Sequence, residues 1–180
     1  FGGKPLPQSA LKCIRSWKKY MPEYEIVQWN EDNFDVKVVP YVREAYEARK
    51  YAFVSDYARF FILYKYGGVY FDTDVEVISR LDDIIESGPY MGMERTLAGD
   101  IAVNPGLGFA CEAGMPLLAE LLDMYSQLHF RREDGYRAAR DLRLGGSRLL
   151  LPDTLGCGSF TQLLPYRLRA CRRGYCKGGL

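Results

Sequence analysis

Asp72 and Asp74 stand one residue apart at the end of an apolar stretch, YKYGGVYFDTDVEV, residues 64–77. With 12 Asp in 180 residues, chance alone supplies about 0.8 Asp-x-Asp pairs, so the surroundings must decide what this one does. Read as a strand over 69–75, the segment alternates: Tyr70, Asp72 and Asp74 share one side, and Val69, Phe71, Thr73 and Val75 share the other. Asp is depleted in strands and an ionised carboxylate is costly to bury alone, so the acidic side must meet solvent, a cation or a donor. Carboxylates with hydroxyls and water suit Mg²⁺ or Mn²⁺, and no Cys or His lies near this segment to favour a softer ion. Such ions take their remaining oxygens from a bound phosphate when only two carboxylates hold them. The pair therefore predicts a phosphorylated ligand.

A second polar set lies just upstream. In YAFVSDYARFFILYKY, residues 51–66, the only charged groups are Asp56, Arg59 and Lys65. That composition predicts a buried helix, stopped by Gly67 and Gly68. Asp56 and Arg59 are three apart, on one face and within pairing reach. A structural ion pair would account for them alone. Two tight glycines, however, join their helix to the acidic strand, so four polar groups can face one crevice.

The elements that must position these groups follow from local pattern. Ser9 is the expected cap of a helix carrying Leu11, Ile14 and Trp17 on one face, and Pro22 closes it. EYEIVQWN reads as a strand. From Pro40 a helical segment runs through YVREAYEARK into residues 51–66, then VYFDTDVEVI reads as a strand and SRLDDIIES as a short helix. PYMGMER is another strand, IAVNPGLGFACEAGMP a strand with loops, and PLLAELLDMYSQLHF a helix. This alternation predicts an α/β fold without internal repeats. Beyond His129 the periodicity fades, leaving at most one helix near 136–144. His129 reads as a surface or cap residue, Trp17 and Trp29 as core or rim aromatics, and the Leu81-Asp82-Asp83 start as a solvated helix turn.

Bulk composition, 48% hydrophobic and 26% charged over 180 residues, fits one globular domain. No apolar run is long enough to span a membrane, and no signal-peptide pattern is present. Cys13, Cys111, Cys157, Cys171 and Cys176 make no even framework and no CxxC pair, so free thiols in a reducing, cytoplasmic setting are expected. The net charge of +1 divides unevenly. Residues 1–128 hold 13 Lys and Arg against 19 Asp and Glu, and 129–180 hold 11 against 4. The basic tail lacks the aromatic interleaving that stacks bases, so no nucleic-acid partner is expected.

The stretch YAFVSDYARFFILYKYGGVYFDTDVEVI resembles the signature of the DXD-containing sugar transferases of glycosyltransferase family 32. More distantly it is similar to the catalytic domain of the large clostridial glucosylating toxins. The pattern joins an S-D-x-x-R helix, paired glycines, an aromatic before the acids and the D-x-D, which together are far more specific than D-x-D alone. A looser likeness runs from FGGKPLP to NPGLGFACEAGMP. The resemblance implies a GT-A fold, a Rossmann-like α/β sandwich, and metal-dependent, retaining transfer from a nucleotide sugar. A UDP-sugar is the favoured donor, with GDP-mannose the other. The acceptor would be a glycan or a lipid-linked molecule in polysaccharide or capsule synthesis, reached at a membrane face. By position, the resemblance implies that Asp74 binds the Mn²⁺ or Mg²⁺ directly, while Asp72 contacts ribose and sugar, or the metal through water. Asp56 and Arg59 would hold donor-sugar hydroxyls and complete, with Asp72, the catalytic set. Tyr70 would line the same pocket, and Asn104 and Gly106 would lie toward the acceptor.

Family members usually carry a strand and a Trp before the FGG loop, and this chain begins too late to show them. Their C-terminal segments often add a His or Trp, and none follows residue 130 here. The expectation is thus a truncated domain: a GT-A catalytic unit over 1–128 without its N-terminal strand, and a basic segment of uncertain structure over 129–180. An inactive nucleotide-sugar-binding remnant is one alternative. Another is a haloacid-dehalogenase-like phosphotransferase, with Asp72 as nucleophile and Asp74 as acid or base. Against it, Val75 and Glu76 stand where small turn residues are usual. A glycosidase pair is excluded, because carboxylates about 6.5 to 7 Å apart along one strand cannot flank a sugar ring.

Overall fold

Helices alternate with short strands in the computed structural model, which describes residues 1–95, 101–132, 135–136, 143–144, 147–148 and 166–170. Helix α1 is Gln8–Tyr20, strand β1 Tyr24–Gln28, α2 Pro40–Glu47, α3 Tyr51–Tyr66 and β2 Gly68–Phe71. Then come α4 Asp82–Glu86, β3 Tyr90–Met91, β4 Met93–Arg95 and β5 Ile101–Val103. A 3₁₀ turn, Pro105–Leu107, leads into β6 Phe109–Cys111 and α5 Pro116–Ser126. The remaining strands are β7 Arg131–Arg132, β8 Gly135–Tyr136, β9 Arg143–Leu144, β10 Ser147–Arg148 and β11 Tyr166–Ala170.

The main sheet runs β1-β11-β2-β6-β3. Helices cover both of its faces, and β2 shows how. Its side chains alternate, so Val69 and Phe71 pack with Cys13, Ile14 and Trp17 of α1, whereas Tyr70 enters a larger cluster built by α2, α3 and α5 around Tyr41, Phe60, Leu63, Leu118 and Tyr125. This is an α/β layering, as expected. All four pairings in this sheet are antiparallel, which departs from the mostly parallel sheet expected of a Rossmann-like fold. β1 and β2 run in the same direction with α2 and α3 as their crossover, but β11 lies between them, antiparallel to both, with Leu168 opposite Ile26 and Val69. Two antiparallel ladders thereby stand where a parallel one would.

Five local expectations change. PYMGMER is not one strand but two, β3 and β4, which break at Gly92 and join different sheets. Ser9 does not cap α1, because the helix begins at Gln8, with Leu11 N–H already bonded to Pro7 O at 3.1 Å. The helical segment from Pro40 is not continuous: Arg49, at φ 57°, breaks it into α2 and α3 without any Gly or Pro to announce the break. The acidic strand is shorter than expected. β2 ends at Phe71, and Asp72 to Asp74 form a turn in which Val75 N–H bonds Asp72 O at 3.1 Å. The helix expected near 136–144 meets strands at both ends, Gly135–Tyr136 and Arg143–Leu144, and its middle lies outside the described residues.

Candidate functional site

Helix α3 stops where the sequence places its stop. Gly67 has φ 60°, and a Cβ there would come within 2.7 Å of Ala113 N and 3.0 Å of Cys111 O. Only glycine lets the helix end pack so closely on the end of β6 and turn at once into β2. That turn brings the middle of α3 over the end of β2.

There the polar groups meet. Arg59 Nη2 lies 2.8 Å from Asp56 Oδ1 and 3.4 Å from Asp72 Oδ1. Tyr70 donates its hydroxyl to Asp72 Oδ1 at 2.7 Å, and the Arg59 guanidinium sits 5.1 Å from the Tyr70 ring centroid. The Arg59 side chain is only 7% exposed, against 25% for Asp56 and 19% for Asp72. Burial disfavours its charge, and the fields of the nearby carboxylates, Asp72 foremost, outweigh that and hold it protonated. Burial pushes the Asp56 carboxyl up to about 6; Arg59 opposes this and Asp72 adds to it. The same burial, with Asp72 beside it, keeps the Tyr70 phenol protonated as a donor.

Asn104 and Gly106 close the other side. Asn104 Oδ1 accepts from Gly106 N–H at 2.9 Å and so caps the 3₁₀ turn, and Gly106 O accepts from Asp72 N–H at 2.8 Å. A Cβ on Gly106 would fall on the Asp72 carboxylate and 3.1 Å from Arg59 Nη1. Asp74 is exposed on the same turn, its carboxyl raised by partial burial and by the charge of Asp72. The structure thus draws six of the seven expected residues into one contact network and sets the seventh, Asp74, beside it.

Three groups that sequence reasoning assigned only to packing, or passed over, also serve this site. Trp17 Nε1 donates to Val75 O at 2.8 Å, and Ser16 Oγ accepts from Val77 N–H at 2.9 Å. Together they pin the segment leaving Asp74 onto α1. Tyr125, fully buried, lies within electrostatic reach of Asp56 and Arg59. The spacing of Ser16 and Trp17 is a plain helix face, so only the tertiary contact distinguishes them.

Among the described residues, no cluster of three or more His, Cys, Asp or Glu could hold a metal. The donor set here is two carboxylates, Asp72, anchored by Tyr70 and Arg59, and Asp74, exposed. That chemistry fits a hard divalent ion whose other oxygens come from a diphosphate. A cavity of about 730 Å³ opens past the C-terminal end of β1, lined by Gly3, Lys4, Asn30, Asp32 and, at the start of α3, Tyr51. Its volume suits a small molecule, and the carboxyl end of a strand is where α/β sheets take ligands.

Residues 7–90 match the family model described as a glycosyltransferase sugar-binding region containing the DXD motif. That match covers just under half of the chain. The chain is also 31% identical over 121 residues to inositol phosphoceramide mannosyltransferase 3 of Schizosaccharomyces pombe, an alignment that covers 65% of this chain and 33% of that relative. The chain spans about a third of the length of the curated relative it matches. No solved structure matches it with significance. Both likenesses are to glycosyltransferases, and the family match takes in Asp56, Arg59, Tyr70, Asp72 and Asp74 but ends before Asn104 and Gly106.

Proposed function

We propose that this chain is the donor-binding portion of a metal-dependent glycosyltransferase, of GT-A type, that moves a sugar with retention from a nucleotide sugar to a glycan or lipid-linked acceptor. The observation that carries the reading is the convergence of Asp56, Arg59, Tyr70 and Asp72 on one network beside Asp74. In this reading Asp72 and Asp74 hold Mn²⁺ or Mg²⁺, which when bound neutralises charge on the departing diphosphate. Arg59 fixes the carboxylates of Asp56 and Asp72, and Asp56 accepts hydroxyls of the donor sugar. Tyr70 orients Asp72, and the cavity past β1 receives the nucleoside. The engagement of Asp72 by Tyr70 and Arg59 suits a positioned ligand better than a phosphotransferase nucleophile.

The catalytic unit is assigned to residues 1–128, with 129–180 as an accessory segment. The relative's name favours mannose and an inositol phosphoceramide acceptor, with GDP-mannose then the donor, whereas the motif alone favours a UDP-sugar. A lipid acceptor would place the site at a membrane face, in keeping with a cytoplasmic location there and a role in surface glycan or capsule synthesis. Among the described residues no helix is long and apolar enough to cross a membrane.

A thermal melt with Mn²⁺ and either UDP or GDP tests the reading, with Asp74→Asn alongside. A ligand at a hundred times its Kd adds about 2.7 kcal/mol to the folded state. A shift that needs both metal and one nucleotide, and is lost in Asp74→Asn, supports the donor site and names its base. A cooperative melt that no combination moves would overturn it. Binding without sugar turnover would assign the chain to the inactive remnant.

A further inference from the structure

The hairpin β4–β5 carries an apolar face to solvent beside the site. Register sets Met93 opposite Val103 and Arg95 opposite Ile101. Directly paired residues, and residues two apart along a strand, share one face of a hairpin. Met93, Ile101 and Val103 therefore lie together, 66%, 64% and 37% exposed, with Arg95 bounding the face at its outer end. Together they form a contiguous exposed apolar patch of the kind that is often functional on a monomer.

Position and size say which occupant. Strand β5 runs directly into the site: Val103 is followed by Asn104, whose side chain caps the turn of Gly106, and Gly106 O holds Asp72 N–H. At about 3.3 Å per residue the face begins within roughly 10 Å of the carboxylates. Its exposed area is on the order of 300 Å², within the range of functional patches on monomers and far below the ~800 Å² per partner of a stable protein interface. A slender apolar ligand fits it and a second protein does not. We propose that this face seats the hydrocarbon tail of an amphiphilic acceptor whose sugar or polyol head lies at the transfer site. The proposal rests on the glycosyltransferase reading above and specifies its acceptor class.

The test uses dodecyl maltoside below its micelle concentration and maltose, each titrated into the full chain, with the Mn²⁺ and nucleotide melt run in parallel. Dodecyl maltoside is expected to bind at least about tenfold more tightly than maltose, because the tail leaves water. The double variant Met93→Ser with Ile101→Ser should remove that advantage and leave the nucleotide-dependent shift unchanged. Equal binding of the two sugars, or a tail advantage that survives in the variant, overturns the proposal. So does a wild-type dimer in sedimentation that dissociates in the variant, since the face would then belong to a second copy. Because the melt reads the donor site separately, its failure would reject the glycosyltransferase reading, whereas failure of the tail comparison alone would reject only the acceptor class.

Discussion

Gly106 and Asp72 touch with no room for a methyl group between them: a Cβ on Gly106 would overlap Asp72 Oδ2 and lie 2.9 Å from its Cγ. The backbone at Gly106 is not in the left-handed region, so alanine there brings no strain of its own. Gly106→Ala must therefore push the Asp72 carboxylate off Tyr70 and Arg59. We expect nucleotide binding with Mn²⁺ to weaken at least about tenfold while stability falls by only about 1–3 kcal/mol. Calorimetric titration beside a urea melt separates the two. Unchanged binding would show that Asp72 can reach its ligand from elsewhere.

Arg59, itself buried, is the only charge partner within reach of two partly buried carboxylates among the contacts described. Arg59→Ala strands both, and the expected loss of stability is about 3–5 kcal/mol. Arg59→Met, which restores volume without charge, should recover part of the stability when paired with Asp56→Asn. Chemical denaturation of the single and double variants measures this coupling. A loss no larger than that of an exposed Arg, such as Arg43→Ala, would mean that the network is not buried in solution.

The Asp56 carboxyl, raised to about 6 by burial, predicts a direction for pH. A carboxyl whose folded pKa exceeds its unfolded value adds stability that is fully present below the unfolded value and is lost as pH rises through the folded one. Without ligand, the wild type should lose on the order of 3 kcal/mol relative to Asp56→Asn between pH 4 and 7. Melting curves of both proteins across that range give the difference. A difference that grows in favour of the wild type with rising pH would reverse the assignment and show that Arg59 dominates burial.

Trp17 holds the segment beyond Asp74 through one hydrogen bond to Val75 O. Trp17→Phe leaves that carbonyl unpaired and a void against Phe71, so stability should drop by about 2–4 kcal/mol. Metal affinity should fall as well, since the turn bearing Asp74 loses an anchor on α1. Mn²⁺ titration followed by relaxation of water protons would read this directly. Loss of stability with unaltered Mn²⁺ affinity would confine Trp17 to packing.

What the sequence made legible is what local chemistry governs. The buried helix over 51–66, the glycine stop and the company of Asp56 and Arg59 follow from composition, from left-handed backbone at Gly67 and from helical spacing. The break at Arg49 was hidden because no Gly or Pro marks it. The end of β2 at Phe71 was hidden because Thr73 and Val75 favour strands, while the turn is fixed by Gly106 O and Val75 N–H, groups that come from the backbone and from 34 residues downstream in the case of Gly106. Ser16 and Trp17 show the same limit: a helix face predicts burial, but not which carbonyl or amide the buried polar atoms meet.

The seam between α3 and β6, where Gly67 is crowded by Cys111 and Ala113 and Gly114 N–H bonds Tyr64 O at 2.8 Å, fixes the downstream end of the helix that carries Asp56 and Arg59. With that end locked, one residue inserted anywhere between Arg59 and Leu63 would swing both side chains about 100° around the helix axis. The stretch from Arg59 to Asp72 is thus a spacer of fixed length, and variation in chain length near the site has to be absorbed upstream of α3 or beyond β6.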